Sequence, residues 1–152
     1  MESLEPAGWR DFGYVRRLRN EATTRQWFPD DTPVALLHHW SWWISRRDRA
    51  EAVFIIVSSG RRAGYLRLDS RPDGFHCISL AVEPSARGLG IGGRAIDLAV
   101  KMRRQPMPVG WRAIIRVSNH ASVAAFAKSG FTKVDACSVQ PGFACFELRR
   151  LT

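Results

Sequence analysis

Two segments near the amino terminus carry apolar residues at helical spacing. Phe12, Val15 and Leu18 recur along one face after Asp11, which is a favoured residue at a helix start. A second start signal, Thr32-Pro33, precedes a longer amphipathic stretch. The apolar stripe of that predicted second helix contains Leu36, Leu37, Trp40, Trp43 and Ile44, and its two central tryptophans, Trp40 and Trp43, are predicted to lie in the core.

The pattern then changes to strands. Residues 51–58 and 62–69 are rich in β-branched and aromatic residues and flank Ser59-Gly60, which predicts a hairpin, and 75–82 predicts a third strand. Helical spacing returns at 89–104 and 121–129, and further strands are predicted at 111–118, 132–139 and 143–151. This order predicts a single α/β (α+β) domain over residues 1–152, built around one mixed sheet flanked by helices.

Charge and cysteine content narrow the class of protein. The chain of 152 residues carries a net charge of +9 and has a pI near 10.7, so it attracts polyanions such as nucleic acid, an anionic membrane or a phosphate-rich ligand. Three cysteines without close pairing fit reduced thiols in the cytoplasm and exclude the usual metal-binding spacings. No apolar run reaches the length of a membrane span, and the first residues lack the pattern of a signal peptide.

The most specific local feature is a glycine-rich segment at the junction of a predicted strand and helix. Glycines there let backbone amides approach a ligand, and the helix N-terminus adds partial positive charge, so the segment predicts a pyrophosphate site. Gly88, Gly90 and Gly93 also satisfy the dinucleotide fingerprint G-x-G-x-x-G. That interpretation requires a carboxylate after the next strand, but the chain has Ser118-Asn119 there, which argues against it.

Two motifs together resemble the GNAT superfamily of N-acetyltransferases. The family pattern R/Q-x-x-G-x-G/A is met by Arg87, Gly90 and Gly92, and the next family motif by residues 119–122, Phe126, Lys128 and Gly130-Phe131. The flanking elements follow the family order, so the resemblance covers essentially the whole chain. It implies a mostly antiparallel sheet and acetyl-CoA as the cofactor.

The resemblance also implies the residues that hold coenzyme A. The amides of 87–93 would bind the pyrophosphate, the strand 80–82 would pair with the pantetheine arm, and Asn119 would contact that arm from the other side, although Asn119 is also a helix-cap candidate. The implied cofactor residues are Leu80, Ala81, Val82, Arg87, Gly88, Leu89, Gly90, Ile91, Gly92, Gly93, Asn119, Ser122, Phe126 and Lys128.

Catalytic groups are less clearly marked. The tyrosine that commonly acts as the acid in this superfamily is replaced by Phe126, so water is an alternative proton donor. His76 and Glu83 are the candidate bases, each with a structural alternative: a hydrogen-bonded strand histidine and a solvated loop carboxylate. We expect direct attack by the amine in a ternary complex, without an acyl-enzyme.

The amino-terminal half is expected to bind the acceptor. Scattered residues there are similar to the subgroup that acetylates UDP-linked 4-amino sugars for nonulosonate synthesis, which implies a small-molecule amine acceptor. The candidate acceptor residues are Arg25, Trp27, His39, Trp42 and Tyr65, and a structural role for His39 is an open alternative. Two further alternatives are a peptide or ribosomal-protein acetyltransferase and a basic nucleic-acid-binding module, although no nucleic-acid motif is recognisable. No membrane partner is expected, and a homodimer is an open alternative.

Overall fold

A seven-stranded sheet forms the centre of the computed structural model, which describes residues 1–46, 51–135 and 137–151. The strands are β1 (Glu2–Pro6), β2 (Glu51–Ser58), β3 (Arg61–Ser70), β4 (Phe75–Val82), β5 (Gly110–Arg116), β6 (Thr132–Val134) and β7 (Phe143–Arg149). Their order across the sheet is β1-β2-β3-β4-β5-β7-β6, and every pair is antiparallel except β4–β5. The predicted mixed, mostly antiparallel sheet is therefore confirmed.

The described residues also form five α-helices. They are α1 (Phe12–Asn20), α2 (Ala22–Arg25), α3 (Leu36–Ser45), α4 (Ile91–Lys101) and α5 (His120–Lys128). One face of the central strands packs with α4 and α5 around a core that includes Leu66, Ile96 and Phe126. The opposite face packs with α1 and α3 around Leu18 and Trp43. The alternation of side chains along β3 and β4 explains how both faces become buried.

Several predicted boundaries were wrong. The strand β1 and the short helix α2 were missed, since five and four residues give too little periodicity to detect. The second long helix begins at Leu36 and not at Pro33, with Ala35 as its N-cap. The strand predicted at 132–139 ends at Val134, and within that prediction Ala136 lies outside the described residues.

Two predictions about individual side chains in the amino-terminal helices differ from the structure: the cap formed by Asp11 and the burial of Trp40. Asp11 precedes α1, but its side chain accepts from the backbone amide of Gly8 at 2.9 Å and from Arg62 at 2.6 Å, and makes no cap hydrogen bond. In α3, Trp43 is buried as predicted, whereas Trp40 is 48% exposed and stacks on Trp9 with ring centroids 5.5 Å apart. The prediction that Trp40 is a core residue was therefore wrong.

The expectation of three reduced cysteines was wrong for one pair. Cys137 and Cys145 form a disulfide with a Cα–Cα distance of 6.2 Å, because the chain turns back through 141–142 and places them side by side. Cys77 is a free thiol. Across the parts of the chain that the structure describes, no helix has the length and apolar composition needed to span a bilayer.

Candidate active site

The two central parallel strands pair only at one end. Hydrogen-bond partners run from Phe75–Gly110 to Cys77–Arg112, after which β4 continues beside β3 and β5 continues beside β7. The strands diverge beyond Cys77 and open a cleft of about 1140 Å³ through the sheet. The β4 backbone from Ile78 to Val82 therefore has no partner from β5, which leaves peptide groups available for a ligand.

The glycine-rich loop closes one mouth of this cleft. Gly88 and Gly90 have φ values of 78° and 75°, and Gly90 is the left-handed N-cap of α4. The first amides of α4 have no partners within the helix and share its positive end. This arrangement fits an anionic group such as a pyrophosphate.

The Arg87 side chain fastens the loop to the amino-terminal helices. Its guanidinium donates to the Val82 carbonyl at 3.0 Å and to the Thr23 and Thr24 hydroxyls at 2.6 and 2.8 Å. Arg87 therefore links the loop to α2, and its contribution to an anion site would come chiefly through its backbone.

Helix α5 forms the opposite wall of the cleft. Asn119 caps it by accepting from the Ser122 amide at 3.2 Å, so its Oδ1 is engaged and its amide NH2 is the group suited to a cofactor contact. Ser122 and Lys128 line the same wall. Phe126 also lines the cleft but is only 2% exposed and packs edge-on against Phe131 at a centroid distance of 5.0 Å.

The structure brings nearly all of the predicted cofactor residues together. Leu89 does not line the cleft and is 63% exposed. The cleft is lined by the others: Leu80, Ala81, Val82, Arg87, Gly88, Gly90, Ile91, Gly92, Gly93, Asn119, Ser122, Phe126 and Lys128. The cleft fits an extended thioester cofactor with a pyrophosphate. It offers the β4 edge that β5 leaves unpaired, the first amides of α4 and a volume of about 1140 Å³.

A comparison with known protein families identifies the family of this chain. Residues 12–131 match the model of the acetyltransferase (GNAT) family. The chain belongs to the GNAT acetyltransferase family. Membership makes it an enzyme that transfers an acetyl group from acetyl-CoA to an amine. No curated protein sequence matches the chain.

Solved GNAT structures with different acceptors share this architecture. The aminoglycoside acetyltransferase AAC(6')-Ib in complex with coenzyme A is 16% identical, with a TM-score of 0.84 over 99% of this chain and 95% of that one. Spermidine N-acetyltransferase from Vibrio cholerae, in complex with CoA and spermine, is 14% identical, with a TM-score of 0.77 over 96% and 92%. The ribosomal L7/L12 alpha-N-protein acetyltransferase RimL in complex with coenzyme A is 17% identical, with a TM-score of 0.79 over 97% and 93%. These likenesses concern the fold, which serves several kinds of amine.

The other mouth of the GNAT cleft lies against the amino-terminal helices. Of the predicted acceptor residues, Trp27, His39, Trp42 and Tyr65 line it, whereas Arg25 does not and donates to the Asp31 carbonyl at 3.3 Å. Burial raises the pKa of Tyr65 to about 12, so its hydroxyl stays protonated at neutral pH.

His39 is held mainly by structural contacts. Its Nε2 lies 3.2 Å from the Phe12 carbonyl oxygen, and its ring packs against Phe12 and Trp42 at centroid distances of 4.6 and 5.3 Å. Burial lowers the pKa of His39, which favours the neutral ring. Trp42 is oriented in turn by donating from Nε1 to Glu51 at 2.6 Å.

Three polar side chains that the sequence analysis did not select also line this mouth. Arg19 Nη1, Arg67 Nε and Asp69 Oδ1 are buried and have no hydrogen-bond partner among the described residues. The remaining Asp69 oxygen accepts from Arg67 Nη2 at 2.7 Å. The period of two in β3 was a usable signal, since Tyr65, Arg67 and Asp69 alternate onto one face.

The two predicted bases lie outside the cleft wall. His76 is 5% exposed and sits near the start of β4, where that strand still pairs with Trp111 of β5. Burial, followed by the nearby Arg104 charge, lowers the His76 pKa. Glu83 forms an ion pair with Arg17 of α1 and does not line the cleft. This placement brings neither group to the open part of the cleft.

Proposed function

We propose that this GNAT enzyme acetylates the amino group of a UDP-linked 4-amino sugar. The observation that carries the proposal is a pair of buried guanidinium nitrogens in the acceptor mouth, Arg19 Nη1 and Arg67 Nε, which have no hydrogen-bond partner among the residues that the structure describes. Leaving such donors without partners is unfavourable by about 1–3 kcal/mol each, so they suit a ligand rich in oxygen acceptors, such as a sugar diphosphate. Trp27 and Trp42 offer ring faces for a sugar or uracil.

Transfer would proceed by direct attack of the amine. Acetyl-CoA supplies an acetyl group already activated as a thioester. We propose that the free backbone edge of β4 and the α4 amides orient this cofactor, with Asn119, Ser122 and Lys128 along the opposite wall. Because the cleft passes through the sheet, an amine entering from the α1–α3 side would approach the thioester without displacing the cofactor. The proposed setting is the cytoplasm, where both substrates would be available.

The second candidate is an acetyltransferase for peptide or ribosomal-protein N-termini. The volume of the cleft, about 1140 Å³, favours it, because an extended chain would need a large cavity beside the cofactor. The buried guanidinium donors do not match it, since an N-terminal peptide has fewer oxygen acceptors close to its amine. The two candidates therefore differ in their dependence on arginine.

The first test is thiol release from acetyl-CoA with four acceptors: a UDP-4-amino sugar, kanamycin, spermine and an N-terminal peptide. We expect the sugar nucleotide to give the highest kcat/KM. Arg19→Lys should raise the KM of the sugar nucleotide at least about tenfold, because a hydrogen bond to a charged group contributes about 1.5–3 kcal/mol and about 1.4 kcal/mol is a factor of ten. Arg62→Lys is the matched control, since Arg62 is bound to Asp11 away from the cleft. Faster turnover of the peptide, with no effect of Arg19→Lys, would reject the sugar.

A further inference from the structure

Asp69 combines three properties that are rarely found in a purely structural carboxylate. It is only 7% exposed, it lines the acceptor mouth of the cleft, and its Oδ1 has no hydrogen-bond partner among the described residues. We propose that Asp69 receives the ammonium group of the acceptor and removes its proton before acetyl transfer. This inference rests on the proposed transfer to an amine, but not on which amine is the acceptor.

The position of Asp69 in the sheet suits this role. It pairs across β3–β4 with Cys77, the last β4 residue that is still paired with β5. Asp69 therefore lies beside the point where the central strands separate. It shares its sheet face with Tyr65 and Arg67, towards the helices that cover the acceptor side. An amine bound here would face the cofactor channel from the acceptor side.

The groups around Asp69 shift its pKa in both directions, with a net rise. Burial raises the pKa of Asp69, and Glu51, its partner across β2–β3, acts in the same direction. Arg67 and Arg71 lower it, Arg67 both by charge and by its hydrogen bond. Cys77 faces it from β4 and accepts a hydrogen bond from Arg71 at 3.4 Å. A carboxylate with a raised pKa is a better match to an amine proton than an ordinary aspartate.

The proposed step balances in atoms and charge. The Asp69 carboxylate takes one proton from the acceptor ammonium, which leaves a neutral amine and a carboxylic acid. The amine lone pair then forms the new bond to the acetyl carbon while the carbon–sulfur bond breaks. The amine nitrogen loses its second proton, the departing thiolate gains one, and Asp69 releases its own to solvent through the cleft. The net products are the amide, a thiol and one proton.

A second buried carboxylate shows what a structural role looks like in the same fold. Glu147 is 4% exposed, accepts from Arg112 Nε and Nη2 at 3.0 and 2.7 Å, and has Arg149 3.7 Å from its other oxygen. Both of its oxygens are thus compensated, and it does not line the cleft. Asp69 Oδ1, at the cleft, accepts no hydrogen bond from the described residues, so Glu147→Gln is a matched control for Asp69→Asn.

The test compares pH–rate profiles of the full chain, Asp69→Asn and Glu147→Gln, using whichever of the four acceptors the full chain turns over fastest. We expect Asp69→Asn to lose about a hundredfold in kcat/KM near neutral pH, within the range of general-base effects. The deficit should shrink as the pH rises past the pKa of the amine, because solvent then removes the proton. Acetyl-CoA affinity should stay unchanged. Asp69→Glu, which keeps a base, should recover part of the activity and covers the case in which the asparagine variant folds poorly.

Two outcomes of the pH–rate comparison would overturn the role of Asp69. One is a loss in Asp69→Asn that is equal at all pH values, and the other is the same profile in Glu147→Gln. Turnover of spermine and not of the sugar nucleotide would reject the proposed acceptor while leaving this test intact. If none of the four acceptors is turned over, carboxyl NMR of 13C-labelled aspartate tests the site directly, with Asp69 assigned from the Asp69→Asn spectrum. A spermine-dependent shift of that signal supports the amine site, and no shift with any of the four acceptors rejects it.

Discussion

The two mouths of the cleft are built in different ways. The cofactor side consists largely of backbone: the unpaired edge of β4, the amides at the start of α4 and a loop with two left-handed glycines. The acceptor side consists of side chains from α1, α2, α3 and β3. A backbone site depends on a contiguous segment of sequence, whereas a side-chain site depends on distant residues that only the fold brings together. This difference explains why GNAT enzymes of one fold can use different amines.

The largest effect on cofactor binding should follow from a change in the glycine-rich loop. Gly90→Ala strains the backbone, because Gly90 has a left-handed φ of 75°, and it places a Cβ 2.8 Å from Arg94 Nη1, so the Arg94 side chain must move away. We expect the dissociation constant of acetyl-CoA, measured by calorimetry, to rise at least about tenfold. The free energy of unfolding should fall by about 1–2 kcal/mol, the usual penalty for this conformation.

Gly60→Ala is the matched control for that change. Gly60 has a similar φ of 72°, lies in the β2–β3 turn and has nothing within 4 Å of a built Cβ. It should lower stability by a similar amount and leave acetyl-CoA binding unchanged. Equal losses of binding in both variants would show that general destabilisation, and not the loop, is responsible.

A smaller effect is expected from a change in the acceptor mouth, and it should concern acceptor binding instead of cofactor binding. Trp42→Ala removes a ring that lines the acceptor mouth and lies near Arg67, whose guanidinium carbon is 5.8 Å from its centroid. The acceptor KM should rise about tenfold, since aromatic contacts contribute about 0.5–1.5 kcal/mol beyond area burial. The acetyl-CoA dissociation constant should stay within about twofold. Trp9→Ala, at an exposed position outside the cleft, should change neither quantity.

The difference between a site built from contiguous backbone and one built from distant side chains also explains which features could be predicted from the sequence. The loop, the helix that follows it and Asn119 were recognisable because glycines, a cap residue and a strand–helix junction occur together in the chain. The strand β4 was predicted with its observed bounds, Phe75–Val82. The separation of β4 from β5 was not predictable, because it results from hydrogen-bond partners and not from the composition of either strand.

Residues of the acceptor mouth could be predicted only in part. Trp27, Trp42 and Tyr65 are large aromatics in an arginine-rich half, and they line the cleft. Asp69 has no distinctive neighbours in sequence; what marks it is its burial and an oxygen that has no hydrogen-bond partner in the described part of the chain. His76 was selected for its imidazole and its place early in the predicted strand, and the register of β4 places it at the closed end of the strand pair.

Replacing Phe126 tests whether the cofactor side lacks a proton donor. Phe126→Tyr restores the tyrosine common in the superfamily, but the residue is buried and packed against Phe131. Because a thiolate is a good leaving group, we expect kcat to change by less than about threefold, far below the range of about 10²–10⁴ for a limiting general acid. A gain of about tenfold or more in steady-state kcat would show that protonation of the thiolate limits the wild-type reaction.

The smallest effect on kcat should come from replacing Cys77, the free thiol in the cleft wall beside Asp69. A thiol at this position suggests an alternative mechanism, in which the acetyl group is transferred first to the cysteine sulfur and then to the amine. Direct attack makes Cys77 dispensable, so Cys77→Ser should retain kcat within about twofold and give intersecting double-reciprocal lines. Mass spectrometry after mixing with acetyl-CoA alone should find no protein heavier by one acetyl group. Parallel lines in the full chain, an acetylated Cys77 and an inactive Cys77→Ser variant would instead establish an acyl-enzyme, and the acceptor mouth would then also be the place where the first transfer occurs.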